Sequence, residues 1–203
     1  MLPHSFYLQP DVVSLARDLL GKRLSTRIEG EKTSGIITET EAYAGITDRA
    51  SHAFGGRKTR RTEIMYVKGG TAYVYLCYGM HSLFNVVTNQ EGIPHAVLIR
   101  AIEPFEGIEI MKQRRKKEKI GIDFSNGPGK VTEALGIHFS YSGLDLTQIP
   151  SDSERPAIWI EDVGKMIPAD QILVTPRIGV GYAGEDASLP YRFLLKKDGP
   201  EKK

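Results

Sequence analysis

The twenty residues GTAYVYLCYGMHSLFNVVTN, 70–89, constrain the fold more than any other stretch. They are rich in aromatic and β-branched residues, which suit a pleated strand better than a helix. At their centre, Tyr78-Gly79-Met80-His81 reads as a turn. Two such runs about a short turn predict a β-hairpin. Alternation then sorts the side chains. Tyr73, Tyr75 and Cys77 share one face, and Val74, Leu76 and Tyr78 share the other. Tyr75 can line a cavity in the sheet, while Tyr78 at the hairpin tip can protrude.

A second hairpin is expected from KRLSTRIEG and SGIITETEAYA, turning on Glu29-Gly30-Glu31-Lys32. AVLIRAIEP reads as a buried strand, and AIWIED and QILVTPRIGV as later strands. PDVVSLARDLLG carries an apolar stripe of Val12, Val13, Leu15, Ala16, Leu19 and Leu20 and reads as a short helix stopped by Gly21. Pro104 is expected to open another helix, with Phe105, Ile108 and Met111 inward, running into the basic KQRRKKEK at 112–119, a solvated helix end. SNGPGKVTEALGI reads as a loop and then a helix, with Val131, Ala134 and Leu135 inward. Residues 46–70 carry no period and read as a long loop, a length usually reserved for function or mobility.

Strands arrive in hairpins and not in βαβ alternation. The expected fold is therefore α+β: one domain over 1–203, mostly a curved antiparallel sheet with surrounding helices and a protruding hairpin. Residues 196–203 are expected to form a flexible tail.

Composition excludes several classes. A net charge of +2 permits a nucleic-acid partner without arguing for one. A single cysteine, Cys77, allows no internal disulfide and is expected to be a small buried residue. No leader pattern and no apolar run of about 18 residues is present, so a soluble, cytoplasmic protein is expected. The five histidines lack metal-ligand spacing, so no metal site is expected. GVGYAG, 179–184, matches a dinucleotide-loop pattern, but Pro190 leaves no room for the helix that should follow. It reads as a turn that needs glycine.

ETEAYAG, 39–45, sets Glu39, Glu41 and Tyr43 on one side of a strand. His52 lies in the loop that follows. Asn85 and Arg100 add polar groups to otherwise apolar strands. Together these suggest an aromatic slot ended by a carboxylate, fit for a flat ligand such as a nucleobase. The basic loop GGRKTRR, with Arg57, Lys58, Arg60 and Arg61, would lie near phosphates. Bland readings stay open here: a Tyr-rich strand packs cores, a lone Arg pairs with a carboxylate, and a basic loop is solvated.

ETEAYAGITDRASHAFGGRKT, TAYVYLCYGMHSLFNVV, VLIRAIEP, GPGKVTEAL and PRIGVGYAGE, in that order, closely resemble the alkyladenine (3-methyladenine, methylpurine) DNA glycosylase family. The resemblance covers roughly residues 2–195. It implies a monofunctional enzyme of base excision repair that flips a damaged purine from double-stranded DNA and hydrolyses its N-glycosidic bond. Glu41 matches the general base, and Arg100 the arginine that helps hold the attacking water. The backbone carbonyl that completes the water's ligands falls on Ile178. Tyr43 and His52 match one wall of the base sandwich, and Tyr75 the opposite wall. Asn85 matches the residue that rejects the 2-amino group of guanine. Tyr78 matches the intercalating wedge, with Met80 beside it. His52 follows Glu41 by eleven residues, as in the family.

The resemblance further implies no metal or organic cofactor, a monomer, and association with the nucleoid. It leaves Glu39 without a role. Two other classes compete with it. A non-catalytic nucleic-acid-binding accessory domain would need the basic loops but not Glu41 with Arg100. A nucleotide-dependent enzyme would use GVGYAG.

Overall fold

The computed structural model describes residues 1–196. Its main chain runs α1 (His4–Tyr7), α2 (Val12–Asp18), β1 (Arg23–Ile28), β2 (Glu31–Tyr43), β3 (Ala72–Cys77), β4 (His81–Thr88), β5 (His95–Glu106), α3 (Ile108–Arg115), α4 (Pro128–Leu135), β6 (Ala157–Glu161), β7 (Ile172–Thr175) and β8 (Arg192–Leu195). The fold is α+β, with a curled antiparallel sheet. Strands run in the order β3-β4-β5-β2-β1-β6, and β8 joins β2 with β7 outside it. One edge of β2 is thus shared. β1 pairs along Glu31–Ile36 and β8 along Glu39–Glu41.

Local chemistry explains the elements. Asp11 caps α2 by accepting from the Val13 and Ser14 N–H groups, an arrangement that contributes about 1 kcal/mol. The β1–β2 turn is tighter than expected: only Glu29 and Gly30 leave the ladder, with φ 55° and 76°. Two left-handed residues match the twist of paired strands. The β3–β4 hairpin forms as expected and turns through Tyr78 (φ 51°) and Gly79 (φ 70°). A left-handed φ suits Gly79 but strains the bulky Tyr78.

Two expectations fail, and one strand was not expected. Pro104 opens no helix; it lies within β5, opposite Gly35 of β2, and Phe105 is exposed. The helix starts at Ile108 after Gly107, which sits at φ 73°. Backbone pairing with β2 outweighs the helix-opening habit of proline, and Pro104 tolerates a strand near its end. β7 stops at Thr175, so PRIGV is loop and not strand. β8, a strand of four residues, has no clear sequence signal. The stretch 46–70 is indeed strand-free and consists of short 3₁₀ turns. The tail lies, from residue 197 on, outside the described residues.

The basic run divides. α3 ends at Arg115, with Lys116 left-handed. Arg115 pairs with Glu133 and donates to the Phe124 carbonyl. Arg114 donates to Thr33 Oγ1 and the Ala134 carbonyl. The two arginines tie α3 to α4 and β2, and only residues 116–119 form a solvated lysine-rich end.

The two faces of the sheet differ. One carries the main core, with Val74, Phe84, Val86, Val97 and Ile99 packed against Leu15, Ala16, Val131 and Leu135 of α2 and α4. The other carries Tyr73, Val87 and Ala96 beneath Ala53 and Met65 of the long loop. Tyr75 packs on this second face, and Tyr73, Tyr75 and Asn85 line a cavity there. No helix among the described residues is long and apolar enough to cross a membrane.

Candidate active site

Register assembles the site. Arg192 of β8 lies opposite Glu41 of β2, Glu41 opposite Leu98 of β5, Leu98 opposite Asn85 of β4, and Asn85 opposite Tyr73 of β3. Strands lie about 4.8 Å apart, so this row spans roughly 20 Å. Bulges re-aim side chains within it. Ile37 pairs with Ile102, Glu39 with Ala101, and Thr40 with Ile99, so Thr38 and Arg100 are unpaired in the ladder. Arg100 thereby reaches both Glu39 and Glu41.

Glu41 is fully buried. Its Oε2 accepts from the Tyr43 hydroxyl at 2.8 Å, and its Oε1 from the Ile178 N–H at 2.7 Å. The Arg100 Nε lies 3.4 Å from Oε1. Burial alone would lower the Arg100 pKa, but the charges of Glu41 and Glu39 raise it, so the guanidinium stays charged. Burial, then the adjacent Glu41 charge, pushes the Tyr43 phenol well up, so it remains a donor. Ile178 meets Glu41 through its N–H, whereas the expected role was for its carbonyl, as a ligand of the water. Each carboxylate oxygen keeps a lone pair beyond these bonds.

Beside Glu41 lies a cavity lined by Tyr43, Ala50, His52, Met65, Tyr73, Tyr75, Asn85, Ala96 and Tyr182. Its volume is about 40 Å³, room for roughly three waters. Tyr43, His52, Tyr75 and Asn85 therefore converge. Glu41 itself does not line the cavity; it joins it through the Tyr43 hydroxyl. The expected pairing of walls differs in detail. A ring sandwiched by two others needs them about 7 Å apart, two contact distances. His52 and Tyr75 instead meet edge to face at 4.7 Å. Tyr43, the other residue of the expected wall, also lines the cavity.

Asn85 is held by its own strands, with Nδ2 donating to the Tyr73 and Leu83 carbonyls. The His52 Nδ1 meets the Tyr73 hydroxyl at 2.8 Å, and its Nε2 faces an Arg61 Nη at 3.4 Å. Arginine can only donate, so the proton sits on Nδ1. Burial, then Arg61 and Arg57, lowers the His52 pKa to about 4. The imidazole is neutral at pH 7.

That shift has a measurable consequence. The unfolded chain takes up a proton at His52 near pH 6.5 and the folded chain only near 4. Stability is therefore lost as pH falls through this window. Replacing His52 with Gln is expected to flatten the fall in melting temperature between pH 6.5 and about 4. Parallel pH profiles for variant and wild type would refute a neutral buried imidazole.

Tyr78 and Met80 project from the β3–β4 tip, 91% and 74% exposed. Cys77, expected to be buried, is half-buried just below them. Arg57, Lys58, Arg60 and Arg61 are all exposed on the long loop. Arg61 also packs its guanidinium 4.6 Å from the centre of the Tyr75 ring, so it borders the aromatic cluster directly. The Arg57 carbonyl accepts from Thr62 and Tyr66, which folds the loop back.

Two participants escape sequence reasoning. Tyr182, in GVGYAG, lines the cavity and donates to the Ala50 carbonyl. Arg177, fully buried, forms a two-pronged pair with Asp48 and lies 4.9 Å from the Tyr43 ring centre. It clamps the loop after β2 to the loop after β7. ETEAYAG and PRIGVGYAGE hint at neither contact, because the partners are more than 100 residues apart.

The geometry is thus a buried carboxylate tied to the wall of an aromatic cavity, with exposed cations on the neighbouring loop. The chain belongs to the methylpurine-DNA glycosylase family, whose pattern it matches over residues 5–199. It is a DNA glycosylase and acts on DNA. Proteins provisionally named 3-methyladenine DNA glycosylase are similar along nearly their whole length. One from Chlamydia felis is 52% identical, covering 96% of each chain. One from Chlamydia pneumoniae is 49% identical, covering 98% of this chain and 96% of that one. One from Bacillus licheniformis is 44% identical, covering 96% and 93%.

Proposed function

We propose that this chain removes alkylated or deaminated purines from duplex DNA by hydrolysis, with Glu41 activating the water. The substrates in view are 3-methyladenine, 7-methylguanine, hypoxanthine and ethenoadenine. The observation that carries the reading is Glu41: a fully buried carboxylate, fixed by Tyr43 and Ile178, beside an aromatic cavity.

The damaged nucleotide leaves the stack, and its base enters between Tyr43 and Tyr75. His52 must swing aside, because its ring now touches Tyr75. Bases carrying a positive charge from N3 or N7 alkylation gain from stacking on tyrosine faces, by about 0.5–2 kcal/mol each. Such bases also leave readily without protonation. Asn85, pinned by two carbonyls, cannot retreat from a 2-amino group. Glu41 takes the proton of a water attacking C1′, and Arg100 stabilises the ionised carboxylate. General-base help of this kind supplies about 10²–10⁴-fold. The cations of residues 57–61 track the phosphates.

The test is base release from duplexes carrying each of the four lesions. Release of at least one, leaving an intact abasic strand, is expected. No release from any, with undamaged DNA bound equally well, would end the reading.

Tyr78 is the proposed wedge. Its exposure and strained φ are unusual for a large aromatic residue, and strain of this kind collects at working sites. Tyr78→Ser is expected to weaken binding of a lesion duplex roughly tenfold, as loss of one stacking contact does. The melting temperature should hold, since an exposed side chain contributes no core. A collapse in melting temperature would show that Tyr78 serves the fold.

A further inference from the structure

Glu39 is a second carboxylate on the same face of β2, and it is 5% exposed. A buried carboxylate persists only when paired. The Glu39 Oε1 accepts from the Arg100 Nε and from the Arg192 Nε, each at 2.7 Å. Arg192 is anchored in turn to Thr175 Oγ1 at 3.2 Å. The same Arg100 Nε stands 3.4 Å from Glu41 Oε1, beyond a normal hydrogen bond. The site thus holds two carboxylates and two guanidinium groups, with Glu39 taking the short contacts from both.

We propose that Glu39 is a positioning residue that holds Arg100 and Arg192 off Glu41. Without the Glu39 charge, two partly buried guanidinium groups face one carboxylate. Arg100 can then close onto Glu41 Oε1 in a contact ion pair. Oε1 already accepts from Ile178, so a further short bond from Arg100 fills its remaining lone pair. No acceptor on that oxygen would be left for the water. Arg192 faces Glu41 directly across the β2–β8 ladder and is placed to follow. Glu39 therefore keeps Arg100 near enough to stabilise charge and far enough to leave Oε1 open. The inference rests on the reading of Glu41 as base.

The experiment compares Glu39→Gln and Glu41→Gln with wild type in single turnover on one lesion duplex, with the dissociation constant measured separately. Glu39→Gln is expected to lower the rate constant roughly 10- to 100-fold, within the range of general-base help. Duplex affinity should stay within about threefold, because neither carboxylate faces the phosphates in this reading. A crystal structure of Glu39→Gln should show the Arg100 Nε within about 3.2 Å of Glu41 Oε1. A wild-type rate in Glu39→Gln, with Glu41→Gln inactive, overturns this inference alone. Full activity in Glu41→Gln overturns the reading beneath it as well. If Glu39→Gln fails to fold, Glu39→Asp retains the charge on a shorter stem and should give a smaller loss of rate at unchanged affinity. An unchanged rate there overturns the proposal too.

Discussion

Glu41→Gln is expected to abolish base release while lesion DNA stays bound. The expected loss in single-turnover rate is at least about 100-fold, the lower end of what a positioned general base supplies. Gln is nearly isosteric and still accepts from the Tyr43 hydroxyl or the Ile178 N–H, so the local geometry has reason to survive. What it cannot do is take a proton from water. Affinity for a lesion duplex should change little, because the cavity walls and the exposed cations are untouched. Measuring rate and affinity on the same duplex separates the two effects. A variant that releases base at the wild-type rate would move the catalytic group elsewhere. A variant that loses binding and rate together would make Glu41 a structural residue.

Asp48→Ala is the largest expected stability effect. Arg177 would keep its charge in a fully buried position without its carboxylate partner. Stranding a buried charge in this way costs about 3–5 kcal/mol. For a chain of this size that corresponds to a fall in melting temperature of roughly 10 °C. The damage should be both local and global. The Asp48 carboxylate also accepts from the Ala44 and Ala50 N–H groups, so the loop after β2 loses its organiser. The opposite loop carries the Ile178 N–H and Tyr182, so activity should fall beyond the unfolded fraction. The double variant Asp48→Ala/Arg177→Met is expected to recover part of the stability, since it removes both charges. A melting temperature within about 2 °C of wild type for Asp48→Ala would mean that solvent reaches the pair, against its burial.

Much of the site was legible because β-strands alternate. ETEAYAG places Glu39, Glu41 and Tyr43 on one side, and TAYVYLC places Tyr73 and Tyr75 on one side, whatever their neighbours are. A resemblance across five ordered segments then assigned roles to these residues, and the match over residues 5–199 agrees with it on family. Errors fell where a local habit met a distant partner. Pro104 opens helices in isolation, but β2 offers it a ladder. PRIGV looks like a strand, but among the described residues no strand pairs with it, and it serves as the loop that brings Ile178 to Glu41. RFLL is too short to announce itself, yet pairing with β2 makes it β8 and delivers Arg192 to the site.

The sequence alone determined which residues share a face, where the hairpins turn and that Tyr78 stands at a tip. These follow from the period of a strand and from backbone limits at glycine, both local properties. Only the tertiary structure decided which rows lie side by side. Register between β2, β5 and β8 brings Glu39, Glu41, Arg100 and Arg192 together, and the buried Asp48–Arg177 pair brings Ile178 to Glu41 and Tyr182 to the cavity. A one-residue slip would leave every local pattern intact and turn these groups to the other face. Burial on that face decides which register survives, and burial is a property of the whole fold.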